Sequence, residues 1–210
     1  MHGPFDPRLY AIIDLRPDRP DVRMAEVCRA VTGGVTLLQL RGKGVAPRRL
    51  WILARELVRH LGPLGIPLLV NDRADVARAA GAQGVHLGQS DLPAILIRRA
   101  WPEAIIGVSV HNHAEMEAAR SDGASYLASG SLFPTATKSD ATPLASETLR
   151  ALAAGSDRPI VAIGGITVDN AATAARLGAV GIAVVNGLWS APDVTKRARE
   201  LRAAFESGRG

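Results

Sequence analysis

The chain has 210 residues, enough for one large α/β domain and too few for two complete domains joined by a linker. Hydrophobic residues make up 47% and aromatics only 4%, so the core is built from Ala, Val, Leu and Ile, as interior parallel strands and their covering helices require. The net charge of +5 comes from basic residues interspersed with acids, without aromatic interleaving or a nucleic-acid motif, which argues against nucleic acid as a partner.

Met1 to Arg8 carries no apolar run of signal-peptide length and reads as a short N-terminal extension. No stretch reaches roughly 18 uninterrupted apolar residues, so we expect a soluble cytoplasmic protein without a membrane span. Strand-like runs then follow at Leu9 to Asp14, Thr36 to Arg41, Pro67 to Asp72, Gly84 to Gly88, Ile105 to Val110, Tyr126 to Ser131, Pro159 to Gly165 and Gly181 to Asn186. The segments between them have helical periodicity. Leu50, Ala54, Leu57, Val58 and Leu61, for instance, share one helix face. Cys28, the single cysteine, falls in such a pattern and is expected to be buried and inert. Gly33-Gly34, Gly62, Gly81, Gly123, Gly155 and Gly178 stand just beyond the helical segments, where a left-handed residue closes a helix. The run ends in a helix crowded with Arg197, Arg199 and Arg202, followed by Arg209, which reads as a solvated face.

Eight strand and helix units in about 200 residues describe a single (β/α)8 TIM barrel of class α/β spanning residues 1–210, with a doubly wound open sheet as the competing architecture. In such a barrel the loops after the strands build the active site, so polar residues at strand ends are the candidates. The second strand ends in Gln39, Arg41 and Lys43, and the third in Asn71 and Asp72. Asp91 follows the fourth strand, Ser109 lies on the fifth, and Thr135, Thr137 and Lys138 follow the sixth.

The seventh strand runs into Gly164-Gly165-Ile166-Thr167, with a helix from about Val168 and Thr167 as its N-cap. Glycines let backbone N–H groups approach an oxyanion, and a helix N-terminus adds partial positive charge. With Val185, Asn186 and Gly187 after the eighth strand, this predicts a monophosphate site. Asp72 and Asp91 stand among Arg41, Lys43 and Lys138. They could be simple salt-bridge partners, or they could hold Mg2+, which takes one or two carboxylates together with substrate phosphates and water. Arg41 can grip phosphate bidentately, while Lys43 and Lys138 act as mobile point charges. Two phosphorylated small-molecule substrates are implied, one losing diphosphate as the other attacks.

In these residues the chain resembles the thiamine phosphate synthases, also called thiamine-phosphate pyrophosphorylases. The resemblance runs from Leu9 to Asn186. It is carried by Gln39-Leu-Arg-Gly-Lys43, Val70-Asn-Asp-Arg73, Gly84-Val-His-Leu-Gly-Gln-Ser-Asp-Leu-Pro93, Gly107-Val-Ser109, Phe133-Pro-Thr-Ala-Thr-Lys138 and Ala162-Ile-Gly-Gly-Ile-Thr167. It implies hydroxymethylpyrimidine diphosphate at Gln39, Leu40, Arg41, Gly42, Lys43, Asn71, Ser109 and Lys138, with Ser109, Lys138, Arg41 and Lys43 acting in catalysis. It further implies Mg2+ on Asp72 and Asp91, and thiazole phosphate at Thr135, Ala136, Thr137, Gly165, Val185 and Asn186. The implied reaction is dissociative: diphosphate leaves, and the thiazole nitrogen captures the pyrimidine methylene cation. The resemblance and the frequency of symmetric assemblies suggest a homodimer. Three residues depart from the family pattern: Gly42 in place of Glu, Ser131 in place of Pro, and Asn186 in place of Ser.

Two other readings compete. The thiazole tautomerases resemble the synthases over the same barrel, and His111 stands where their acid/base His acts. A tautomerase, however, has no use for Asp72, Asp91 and Lys138. A non-catalytic barrel that binds a phosphate metabolite would equally leave those residues without a role. His111 and His113 form a His-x-His pair that lacks a third zinc ligand, and His86 reads as a hydrogen-bonding residue within the fourth strand.

Overall fold

The computed structural model describes residues 5–18, 21–135 and 144–209. Eight parallel strands pair in chain order, and the first closes on the last: β1 (Leu9–Asp14), β2 (Leu37–Arg41), β3 (Leu68–Asn71), β4 (Gly84–Leu87), β5 (Ile105–Val110), β6 (Tyr126–Ser131), β7 (Ile160–Ile163) and β8 (Gly181–Val184). Helices α1 (Met24–Thr32), α2 (Pro47–Leu61), α3 (Ala74–Ala80), α4 (Ala94–Ala100), α5 (His113–Ser121), α6 (Ser146–Gly155) and α7 (Val168–Arg176) alternate with them. A short α8 (Asn186–Trp189) and a long α9 (Val194–Ser207) follow β8. The fold is the expected single (β/α)8 barrel, and the open sheet is excluded by the β1 to β8 pairing, in which Leu9 lies opposite Ile182.

Strand alternation divides the core into two layers. Tyr10, Ile12, Leu37, Leu69, Ile105, Tyr126 and Val161 fill the barrel interior. Leu9, Ala11, Leu38, Leu40, Leu68 and Val70 face the helices. The α2 stripe works as its spacing predicts, burying Leu50, Leu53, Ala54, Leu57 and Leu61 while Val58 is only partly covered. Each of its buried leucines contributes about 1.5–3 kcal/mol. Arg199 and Arg209 are exposed as expected, whereas Arg197 and Arg202 are partly covered, pairing with Glu200 and Glu206 and donating to the Gly187 and Gly34 carbonyls.

Three expectations are corrected. Cys28 is exposed, because α1 buries Val27 and Ala30 and turns Cys28 outward between them. Gly62 does not close α2 in a left-handed conformation; it opens a 3-10 turn, and Gly65 at φ 68° closes that turn. Gly155 is the last residue of α6 and is not left-handed, whereas Gly34, Gly81, Gly123 and Gly178 are. Among the described residues, no helix is long and apolar enough to cross a membrane.

Candidate active site

A cavity of about 790 Å3 opens at the C-terminal ends of the strands. Inward alternation on β2 and β3 brings Gln39, Arg41 and Asn71 to its wall, and β5 adds Ser109. The loops after β6, β7 and β8 add Thr135, Gly165, Val185 and Asn186. Leu40 points the other way and is fully buried between barrel and helices, so its side chain is not part of the wall. A Cβ at Gly42 would come within 2.9 Å of Leu50 and 3.3 Å of Val45, so the family's Glu at this position would set out toward α2 rather than the cavity. Ala136, Thr137 and Lys138 lie outside the described residues.

Lys43, Asp72 and Asp91 do not line the cavity; they cluster beside the part of its rim that Arg41 and Asn71 form. The two carboxyl groups lie near enough to influence each other's charge. Burial, then the hydrogen bond and charge of Asp91, push Asp72 up to about 6, against the pull of Lys43 and Arg41. Asp91 Oδ2 also accepts from the Gly88 N–H at 2.6 Å. Asp72 is the one described non-glycine residue with positive φ, at 63°, a conformation that aspartate tolerates better than most residues. The turn from β3 into α3 thus aims its side chain at Asp91. Among the described residues neither carboxylate forms a salt bridge, although Lys43 and Arg41 are near enough to attract Asp72. Two repelling carboxylates with only oxygen donors suit a hard divalent ion. No third His, Cys, Asp or Glu joins them among the described residues, so water and substrate phosphate would complete the shell.

Arg41 is held by a carboxylate that sequence reasoning overlooked. Asp14 ends β1 directly opposite Arg41 and accepts from its Nη1 at 2.5 Å. The signal was available: Tyr10, Ile12 and Asp14 alternate onto one face. The pair leaves most of the guanidinium donors for a ligand and fixes the direction in which they point.

The glycine-rich side is built differently. Gly164 and Gly165 have φ of 91° and 61°, and the end of β6 and the loop after it leave no room for a side chain at either. A Cβ at Gly165 would overlap the Pro134 carbonyl oxygen and lie 2.8 Å from the Phe133 Cβ. Thr167 caps α7 as expected. Asn170 accepts from the Thr167 N–H at 2.8 Å and donates to the Gly165 carbonyl at 2.9 Å, locking the turn. Gly164 to Thr167 thus bring this turn and the positive end of α7 to the cavity wall with no cationic side chain on the loop.

Beneath both rims a chain of polar groups crosses the barrel, which sequence reasoning also missed apart from the hydrogen-bonding role of His86. Gln39 donates to the Tyr10 hydroxyl. The Tyr10 and Tyr126 hydroxyls are 2.9 Å apart, Tyr126 and His86 Nδ1 are 2.9 Å apart, and His86 Nε2 lies 2.9 Å from Ser109 Oγ. Any side chain at Gly107 would strike the Tyr126 ring, so the strand that carries Ser109 also makes room for the chain. His111 lines the cavity, with Nδ1 2.8 Å from Glu115 Oε2.

The family model described as thiamine monophosphate synthase matches residues 9–188. A thiamine-phosphate synthase of Chloroflexus aurantiacus is 46% identical over 199 residues, covering 94% of this chain and 92% of that protein. One from Azorhizobium caulinodans is 43% identical over 211 residues, covering all of both chains. The solved thiamine phosphate pyrophosphorylase of Pyrococcus furiosus superposes with a TM-score of 0.87 at 37% identity, covering 97% of this chain and 98% of that one. A solved 3-hexulose-6-phosphate synthase, at 18% identity and a TM-score of 0.70, shares the fold alone. By model, relatives and structure, the chain belongs to the thiamine monophosphate synthase family.

Proposed function

We propose that the chain is a thiamine-phosphate synthase, a transferase that joins hydroxymethylpyrimidine diphosphate to thiazole phosphate with release of diphosphate. The observation that carries this reading is the placement of Asp72 and Asp91 near one another and near Arg41 and Lys43, an arrangement of paired acids and cations suited to a metal-bound diphosphate. Asp72 and Asp91 would hold Mg2+. When bound, the metal neutralises charge on the diphosphate and eases its departure.

The protein's own groups supply the rest. Arg41, held in place by Asp14, and Lys43 bind the diphosphate, and they attract it more strongly as negative charge accumulates on it during bond cleavage. Gln39, Asn71 and Ser109 bind and orient the pyrimidine ring. The turn at Gly164 and Gly165, with Val185 and Asn186 opposite, holds the thiazole phosphate by backbone N–H groups. Apolar walls such as Ile12, Ile163 and Ala183 keep water from the cation until the thiazole nitrogen reaches it. The family motif adds Lys138 as a further cation for the leaving diphosphate, together with Thr135, Ala136 and Thr137 for thiazole phosphate.

The tautomerase reading leaves the aspartate pair without a role, which is why the synthase is preferred. The test is diphosphate release from the purified protein with both substrates and Mg2+, repeated with EDTA. Release that needs Mg2+ and yields thiamine phosphate supports the reading. Folded protein that binds thiazole phosphate but releases nothing would turn it toward the tautomerase.

A further inference from the structure

We propose that Tyr10, Tyr126 and His86 are positioning residues: they form a one-way hydrogen-bond chain that fixes what Gln39 and Ser109 present to the ring of the diphosphate substrate. The inference rests on the pyrimidine diphosphate reading above.

These groups form the nearly buried floor of the cavity. Gln39 is 2% exposed, Tyr10 1%, Tyr126 0% and His86 6%, so the hydrogen bonds they make to one another satisfy much of their buried polar character. Burial raises the pKa of both phenols, so each carries its proton throughout the working range. The Tyr10 oxygen already accepts from Gln39 Nε2, and the one described acceptor for the Tyr10 proton is the Tyr126 oxygen. Tyr126 must then send its own proton to His86 Nδ1. That nitrogen is therefore bare, and the ring is neutral with its proton on Nε2, from which it donates to Ser109 Oγ. With its oxygen accepting, Ser109 keeps its hydroxyl proton for the cavity it lines.

At the other end Gln39 spends one N–H on Tyr10 and leaves Oε1 and its second N–H on the cavity wall. The ends of the chain thus differ: Gln39 offers an acceptor with one N–H beside it, and Ser109 offers a donor. An amino-substituted heteroaromatic ring, with an N–H donor near a ring-nitrogen acceptor, meets both requirements. Reversing either end would strand a buried donor or acceptor somewhere along the chain unless every link turned at once. The ring character that the site accepts is therefore set in part by Tyr10, His86 and Tyr126 on β1, β4 and β6, through the groups that Gln39 and Ser109 present.

The test combines a spectroscopic and a kinetic readout. Nitrogen-15 spectra of the wild-type protein near neutral pH should show His86 neutral with its proton on Nε2. The Tyr126→Phe variant keeps the ring but cuts the chain, so the same spectrum should show mixed tautomers. Its KM for the pyrimidine diphosphate should rise roughly tenfold, the worth of one neutral hydrogen bond, while the KM for thiazole phosphate stays unchanged. If Tyr126→Phe does not fold, Tyr10→Phe cuts the chain one link earlier and should give the same split. A wild-type His86 protonated on Nδ1 or on both nitrogens, or a broken chain with an unchanged pyrimidine KM, would overturn the inference while turnover upholds the functional reading. A wild-type protein without turnover of the two substrates would instead remove the functional reading, and this inference with it.

Discussion

The rim over β2 to β4 and the rim over β7 and β8 both face phosphate chemistry, yet they are made of different material. The first is built from side chains: Arg41 and Lys43 as cations, Asp72 and Asp91 as an acid pair, Asp14 as a brace. The second is built from backbone: two glycines at positive φ, a locked turn and a helix N-terminus. The difference follows from what each must do. Backbone donors are fixed in place and suit a phosphate that is only held. Diphosphate departure needs charge that can be balanced as it develops, which side chains and a bound ion supply.

Substitutions that remove one material should therefore spare the other. The largest effect is expected for Asp72→Ala or Asp91→Ala. Either should lower Mg2+-dependent turnover by roughly a hundredfold or more without unfolding the barrel, checked by product formation and thermal melting. Wild-type rate and metal dependence in either variant would remove the metal assignment. A smaller and opposite selectivity is expected for Gly165→Ala. Its Cβ meets the Phe133-Pro134 segment and its φ of 61° is unfavourable, costing about 1–2 kcal/mol. The KM for thiazole phosphate should rise, and binding of the pyrimidine diphosphate should hold.

The smallest effect is a pH slope in the metal-free protein. Asp72 ordinarily titrates at 3.8 and here at about 6, so the folded state keeps a proton that the unfolded chain releases. In EDTA, stability should accordingly decline as pH rises from about 4 through about 6, and Asp72→Asn, which also tolerates positive φ, should flatten that decline. Chemical denaturation at several pH values reads this directly.

How much of this the residues announce differs between the layers of the molecule. Barrel periodicity is local, so the runs from Leu9, Ile105 and Tyr126 have the boundaries their patterns suggest. Strand ends are also local, and Arg41, Asn71, Asp72 and Ser109 stand where alternation and turns put them. What could not be read is contact between distant elements. Asp14 meets Arg41 across 27 residues, and Tyr10 meets Tyr126 across 116. Both depend on the barrel closing, which brings side chains together only after every strand is in register. Cys28 failed for the reverse reason: an apolar pattern names a stripe, and a one-position rotation of α1 turns a residue from core to solvent.

The division of the two rims is tested most directly by titrating each substrate alone into the wild-type protein, with Mg2+ and with EDTA. Binding of the pyrimidine diphosphate should weaken sharply when Mg2+ is removed, and binding of thiazole phosphate should not change. If both substrates depended on Mg2+ equally, or neither did, the assignment of side-chain charge to one rim and backbone donors to the other would be contradicted.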